Sequence, residues 1–165
     1  MFLPLGLASF ARHKYSLDIV EIMHITEMVI EHYEDVLRLM QETPGITVRD
    51  ADSREATERY LLRNPGLSFV AIHNEKLIGC IMCGHDGRRG YLQHLIVAID
   101  NRNKGIGSTL SEKCLSKLEK IGIFKTHIDV LVDNHIANQY WSNRGWVKRT
   151  DIIRYSFNKF NNGNI

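Results

Sequence analysis

One short segment in the second half of the chain limits the fold more than any other feature of the sequence. Residues 97–109 read V-A-I-D-N-R-N-K-G-I-G-S-T and lead from an apolar strand through a basic, glycine-containing turn into a helix. Gly105 and Gly107 let the backbone approach a ligand closely. The unpaired N–H groups at the helix start carry about half a positive charge, which attracts anions. Arg102 and Lys104 add side-chain charge, so the segment predicts a binding site for a pyrophosphate.

Two other phosphate motifs do not fit this turn. A Walker P-loop requires a Gly-Lys pair before Ser108, and a dinucleotide fingerprint requires a small residue where Leu110 stands. The remaining alternative is a helix that begins with Gly-x-Gly for structural reasons and binds nothing.

The hydrophobic pattern around this turn predicts one α/β domain with a mixed sheet, in the order β-α-α-β-β-β-α-β-α-β. Asp52, with Glu55 three residues later, resembles a capping box at the start of the second helix. The predicted strands are 22–26, 67–73, 76–83, 91–98, 127–132 and 146–157, and the long helix is 105–121.

Composition excludes several classes of protein. The 165 residues suit one domain, and 44% hydrophobic with 24% charged residues is ordinary for a chain with a core. A net charge of +2 is too small to indicate a nucleic-acid partner, and no apolar run is long enough to span a membrane. Cys80 and Cys83 lie an odd number of residues apart on a predicted strand, so their thiols should face opposite sides. We therefore expect a reduced, cytoplasmic protein without a metal site.

The domain boundaries follow from the first clear strand. Residues 1–8 are apolar, but Arg12 and Lys14 follow this run, whereas a secretory signal has its positive charges first. We expect residues 1–18 to form an N-terminal extension and residues 19–160 to form the domain.

The turn also carries a resemblance to a known family. Residues 102–107, R-N-K-G-I-G, resemble the R/Q-x-x-G-x-G/A signature of the GNAT superfamily of N-acetyltransferases. Asn134 and Ala137, followed by Gly145 and Trp146, resemble a later segment of the same family. The resemblance extends from about residue 22 to 157 and implies a GNAT fold, with a central mixed, mostly antiparallel sheet flanked by about four helices.

The resemblance implies an acetyl-CoA-dependent N-acetyltransferase that acts on a primary amine by direct attack in a ternary complex. The strand before the turn would diverge from its neighbour and bind the pantetheine arm, and a bulge near Leu95 and Ile96 would free backbone N–H groups for the thioester carbonyl. The residues implied in coenzyme binding are Leu95, Ile96, Val97, Arg102, Asn103, Lys104, Gly105, Ile106, Gly107, Ser108, Asn134 and Trp141.

The chain departs from the family pattern at the catalytic positions. Trp141 stands where many members have a tyrosine that protonates the thiolate, and an indole cannot deliver a proton. Tyr140 is one residue away and is either the acid or a core residue. Gln93 replaces a frequent glutamate base, so it can orient but not deprotonate the amine. His94 is the nearest side chain that titrates near neutral pH, and it is either the base or an ordinary half-buried histidine.

A glycine-rich loop at residues 84–90 resembles one found in an uncharacterised GNAT subgroup with a D-G-R-R-G sequence. Asp86 would attract an ammonium group, and Arg88 or Arg89 a carboxylate or phosphate, which suits a zwitterionic acceptor such as an amino acid or a peptide end. The alternative is a turn with solvated arginines.

Two other functions remain open at this point. Gln93 and Trp141 are also consistent with a catalytically weak acyl-CoA-binding or regulatory module, and an enzyme that uses a longer acyl-CoA would differ only in the width of its acyl slot. The acceptor is a small-molecule or peptide amine, and the apolar final strand suggests a homodimer.

Overall fold

The computed structural model describes residues 23–159, so the predicted N-terminal extension, residues 1–18, lies outside the described residues. Five strands form one sheet in the order β1-β2-β3-β4-β5, and four α-helices pack around it. The strands are β1 (Met23–Glu27), β2 (Phe69–His73), β3 (Lys76–His85), β4 (Gly90–Val97) and β5 (Thr126–Ile128). The helices are α1 (Tyr33–Glu42), α2 (Arg54–Arg63), α3 (Ile106–Lys120) and α4 (His135–Ser142).

Three of the four strand pairings are antiparallel, and β4 with β5 is parallel. This confirms the predicted mixed, mostly antiparallel sheet with four helices. None of the helices in residues 23–159 has the length and apolarity that crossing a membrane requires.

Apolar residues of the central strands alternate between two clusters on the two faces of the sheet. Ile81 and Cys83 of β3 pack against α3, and Cys80 and Met82 pack with α1. The two cysteines therefore face opposite sides, as their spacing predicted. Helices on both faces leave the ends and edges of the sheet as the places where a binding site can form.

Strand β4 contains a bulge at its centre. Between the pairs Cys80–Ile96 and Met82–Gln93, β4 has one residue more than β3. His94, within this interval, has a φ of 49°, in the left-handed region that histidine adopts more readily than most residues. The extra residue reverses the alternation of side chains along the second half of the strand.

The parallel partner of β4 ends early. Its pairing with β5 stops at Leu92 and Ile128, so no strand of the described chain pairs with the β5-facing edge of β4 from Gln93 to Val97. The predicted divergence of these two strands is thus present. It leaves backbone groups of β4 available to a ligand.

The prediction of a final strand at residues 146–157 is wrong. This segment forms no strand, and after Trp146, which packs against the core, its large apolar side chains are exposed, with Tyr155 at 88% and Phe157 at 93%. Alternating apolar residues form a strand only where a neighbouring edge accepts their backbone, and β5, predicted to reach residue 132, ends at Ile128. Its expected pairing with a second chain stays a prediction.

Candidate active site

A cleft of about 1420 Å³ opens along β4, where β5 has diverged. Its walls come from α2 and the loop before it, β4, the start of α3, the segment after β5, and α4. We name its two ends by their residues. The glycine-turn end comprises those residues of the segment 97–108 that line the cleft, with Tyr140 and Arg144, and the α2 end comprises Arg59, Arg63, Tyr91, His127 and Arg154.

The glycine-turn end presents an uncapped helix start. Gly105 precedes α3 with a φ of 80°, a conformation that favours glycine, and no side chain caps the helix. The first N–H groups of a helix have no partner within it, so those of Ile106, Gly107 and Ser108 face outward. Arg102 donates from Nε to the Val97 carbonyl at 2.9 Å, which ties the turn to the end of β4.

Helix α4 contributes two further groups to this end. A Cβ atom on Gly107 would lie 3.1 Å from the Tyr140 hydroxyl, so glycine leaves room for that oxygen. The hydroxyl is buried and has no hydrogen-bond partner in the described residues. The Arg144 guanidinium lies 3.7 Å from the Tyr140 ring centre and donates to Ser108 Oγ. An unsatisfied buried hydroxyl and a cation beside exposed helix N–H groups fit an anionic ligand.

The bulge places His94 beside a carboxylate at the middle of the cleft. His94 Nε2 lies 2.8 Å from Asp52 Oδ1, and the side chains are 26% and 13% exposed. The other Asp52 oxygen accepts the Arg49 backbone N–H at 2.9 Å. An Nε2 that donates to the carboxylate leaves Nδ1 of a neutral imidazole with the lone pair, which can accept a proton.

The position of Asp52 corrects the predicted start of the second helix. Ser53 is the N-cap of α2, and its hydroxyl accepts the Ala56 N–H. Asp52 instead ends a short 3-10 turn, residues 50–52, where its carboxylate caps the turn through Arg49 and contacts His94. One aspartate cannot cap α2 and reach the neighbouring strand at once, and serine supplies the cap.

Helix α2 runs along the cleft from this pair towards the other end of β4. It begins two residues after Asp52, and Asn64 at its end accepts the His85 N–H through Oδ1 at 3.1 Å. Its cleft-lining residues share one face of the helix, where positions three or four apart are neighbours: Ala56, Thr57, Arg59, Tyr60 and Arg63. Both arginines are exposed.

Comparison with known families identifies the domain. Residues 33–146 match the sequence model of the Acetyltransferase (GNAT) family. The chain belongs to the GNAT family of acetyltransferases.

Relatives of this GNAT domain carry related names. N-alpha-acetyltransferase 30 of Schizosaccharomyces pombe is 25% identical over 138 residues, 78% of this chain and 86% of that protein. An acetyltransferase of Pectobacterium atrosepticum is 39% identical over 77 residues, which are 47% of this chain and 55% of the Pectobacterium protein.

Solved structures share the fold. The paia N-acetyltransferase of Thermoplasma acidophilum, in complex with coenzyme A, has a TM-score of 0.68 at 21% identity, over 74% of this chain and 88% of its own. Aminoglycoside N-acetyltransferase AAC(6')-Iy in complex with CoA has a TM-score of 0.67 at 21% identity, over 83% of this chain and 95% of the aminoglycoside enzyme's chain.

The predicted coenzyme residues of the GNAT domain come together with one exception. All of them line the cleft except Lys104, which is exposed outside its lining. Asn134 caps α4 by accepting the Ala137 N–H at 3.0 Å. Trp141 is 6% exposed and packs against Trp146 in the core, with part of it at the cleft wall.

The predicted catalytic residues also meet in the cleft, since Gln93, His94, Tyr140 and Trp141 all line it. Strand alternation alone would separate Gln93 from His94, and the bulge removes that separation. The hydroxyl of Tyr140 lies beside Gly107 at the glycine-turn end rather than beside His94.

The predicted acceptor loop lies next to the cleft rather than in its wall. Asp86 accepts the N–H groups of Arg88 and Arg89 and the Tyr91 hydroxyl, and these backbone hydrogen bonds hold the pKa of its carboxyl below the ordinary value. Tyr91 lines the cleft, whereas Asp86, Arg88 and Arg89 do not. Their role in acceptor binding stays a prediction.

Sequence reasoning missed three groups of the site. The spacing to Glu55 assigns Asp52 to a helix cap, and Arg144 and the two arginines of α2 belong to no motif in the sequence. The spacing of Arg59 and Arg63 by four residues was the one available signal.

Proposed function

We propose that this GNAT domain catalyses acetyl transfer from acetyl-CoA to a primary amine, with His94 as the general base. The observation that carries the proposal is the His94–Asp52 pair in the same cleft as the uncapped start of α3. The name of the relative N-alpha-acetyltransferase 30 supports an amine acceptor.

The glycine-turn end fits the pyrophosphate of the coenzyme. The N–H groups of Ile106, Gly107 and Ser108 would donate hydrogen bonds to its oxygens, and Arg144 and the Tyr140 hydroxyl would add further donors. Bound there, acetyl-CoA would supply a thioester whose carbonyl carbon bonds to the amine nitrogen as its carbon–sulfur bond breaks.

His94 and β4 then divide the work of the transfer. His94 Nδ1 takes the proton that the amine loses, and Asp52 fixes the tautomer and stabilises the imidazolium. Backbone N–H groups on the free edge of β4 after the bulge would polarise the thioester carbonyl. The leaving thiolate takes a proton from a water molecule, which regains one from the His94 imidazolium, because the indole N–H of Trp141 is too weak an acid to supply it.

The test uses a substitution that leaves the helix intact while opposing an anion. Ser108→Glu places a carboxylate in the first turn of α3, where it stabilises the helix by about 0.3–1 kcal/mol. The same carboxylate pairs with Arg144 and repels a pyrophosphate. Ser108→Gln has the same size without charge and serves as the control.

We expect calorimetric titration to show acetyl-CoA binding to the unaltered protein and to Ser108→Gln. Ser108→Glu should bind at least about tenfold more weakly, a change of about 1.4 kcal/mol. No binding by the unaltered protein would refute the proposal. Binding without thiol release for any amine would favour the alternative function, an acyl-CoA-binding module.

A further inference from the structure

The positive charge of the cleft is larger than the arginines of the glycine-turn end account for. Its described lining holds six arginines and two aspartates and no lysine or glutamate, a surplus of four positive charges, whereas the whole chain carries +2. Both aspartates are engaged, Asp52 by His94 and Asp129 by Arg154. Arg102 and Arg144 belong to the glycine-turn end.

Two of the remaining arginines, Arg59 and Arg63, lie on the cleft-facing side of α2. Neither has an ion pair or hydrogen bond within residues 23–159, although Glu55 lies four positions before Arg59. Like charges four residues apart on a helix repel each other and destabilise it. Because both arginines face the cleft and neither has a carboxylate partner among the described residues, they are suited to bind an anionic ligand.

The opposite wall of the same end offers no unpaired carboxylate among its described lining residues. His127 of β5 lines the cleft, and burial first, then the charges of Lys125, Arg149, Arg89 and Arg154, lower the pKa of its imidazole. Arg154 pairs with Asp129 and Arg149 pairs with Asp151, so the positive surplus at this end lies mainly on Arg59 and Arg63.

We propose that the α2 end of the cleft binds carboxylate groups of the acceptor, so that the amine substrate is an acidic molecule. The amine would lie at His94, and its carboxylates would reach the side chains of Arg59 and Arg63. This inference rests on the proposed function for the position of the amine. The chemical class is a primary amine with nearby carboxylates, from either an acidic peptide N-terminus or a free acidic amino acid.

The experiment compares acceptors that differ in charge alone. Three peptides of equal length share a free N-terminal alanine, and their second and third residues are glutamate, glutamine or lysine. Free glutamate is a fourth acceptor and separates an amino acid from a peptide. Thiol release from saturating acetyl-CoA at low ionic strength gives kcat/KM, and we expect the glutamate peptide or free glutamate to exceed the glutamine peptide about tenfold.

Variants locate the preference within the molecule. In the variant Arg59→Gln with Arg63→Gln, the ratio of kcat/KM for the glutamate peptide to kcat/KM for the glutamine peptide should fall close to one. The matched control, Arg38→Gln with Arg54→Gln, removes the same charge from exposed positions outside the cleft. It should keep the tenfold preference.

The outcomes separate the inference from the proposed function. Equal rates for all acceptors, or equal effects of the two double variants, would overturn the inference and leave acetyl transfer standing. If none of these four acceptors releases thiol, binding of dye-labelled peptides to the CoA-saturated protein decides the inference. Tighter binding of the glutamate than the lysine peptide, lost in Arg59→Gln with Arg63→Gln, would support it, and equal binding would overturn it.

Discussion

The glycine-turn end of the cleft comes mainly from residues 97–108, whereas the α2 end combines α2, the start of β4, β5 and Arg154. At the first end, a local turn and the helix that follows it place their own N–H groups. At the second, the same side chains would be scattered without the sheet. A site built from adjacent residues can be recognised from a motif, and a site built by packing cannot.

The His94–Asp52 pair lies between the two ends and shares features with both. His94 is three residues before Val97 and belongs to the same stretch of β4, but Asp52 joins it from a turn 42 positions earlier. If the ends are separate in function, changes to this pair should alter turnover without altering coenzyme affinity.

The largest expected effect comes from removing the base. Asparagine tolerates the left-handed backbone at position 94, so His94→Asn should keep the bulge while it lowers kcat by about 10²–10⁴-fold. The acetyl-CoA Kd, measured by calorimetry, should stay within about threefold. That limit corresponds to a change of less than about 0.7 kcal/mol in the free energy of coenzyme binding. A large loss of coenzyme affinity would show that the two ends are not independent.

A smaller effect is expected from the residue that positions the base. Asp52→Asn keeps the size of the side chain but removes the charge beside Nε2, and misplacement of the base should lower kcat by up to about 10²-fold. A role in folding alone would lower the free energy of unfolding together with the rate. We expect kcat to fall while the KM for acetyl-CoA stays unchanged, and Asp52→Glu to restore part of the rate.

The smallest effect sharpens the comparison at the glycine-turn end. Tyr140→Phe removes a buried hydroxyl that has no described partner, so the free energy of unfolding without ligand should rise by about 1 kcal/mol. The same change should weaken acetyl-CoA binding about tenfold if the hydroxyl donates to the pyrophosphate. Thermal unfolding with and without acetyl-CoA measures both quantities. Loss of stability in both conditions would assign Tyr140 to the core instead.

The fold was predictable where the pattern was local and strong. Four helices and a mixed sheet follow from hydrophobic periodicity, and the opposite faces of Cys80 and Cys83 follow from strand alternation. The prediction of a final strand was wrong because a strand needs a neighbouring sheet edge to pair with, and hydrophobic periodicity does not show whether such an edge is available. The same limit applies to Asp52, whose spacing to Glu55 fits a capping pattern although the N-cap of α2 in the structure is Ser53.

The sequence by itself determined the glycine turn, because Gly105, Gly107 and the start of α3 are adjacent in the chain and their conformations are set locally. Only the tertiary structure decided what surrounds that turn. The bulge at His94 depends on the register between β3 and β4, and the contact with Asp52 depends on how the loop before α2 packs on the sheet. Such contacts join residues far apart in sequence, and their energies appear only once the core has formed.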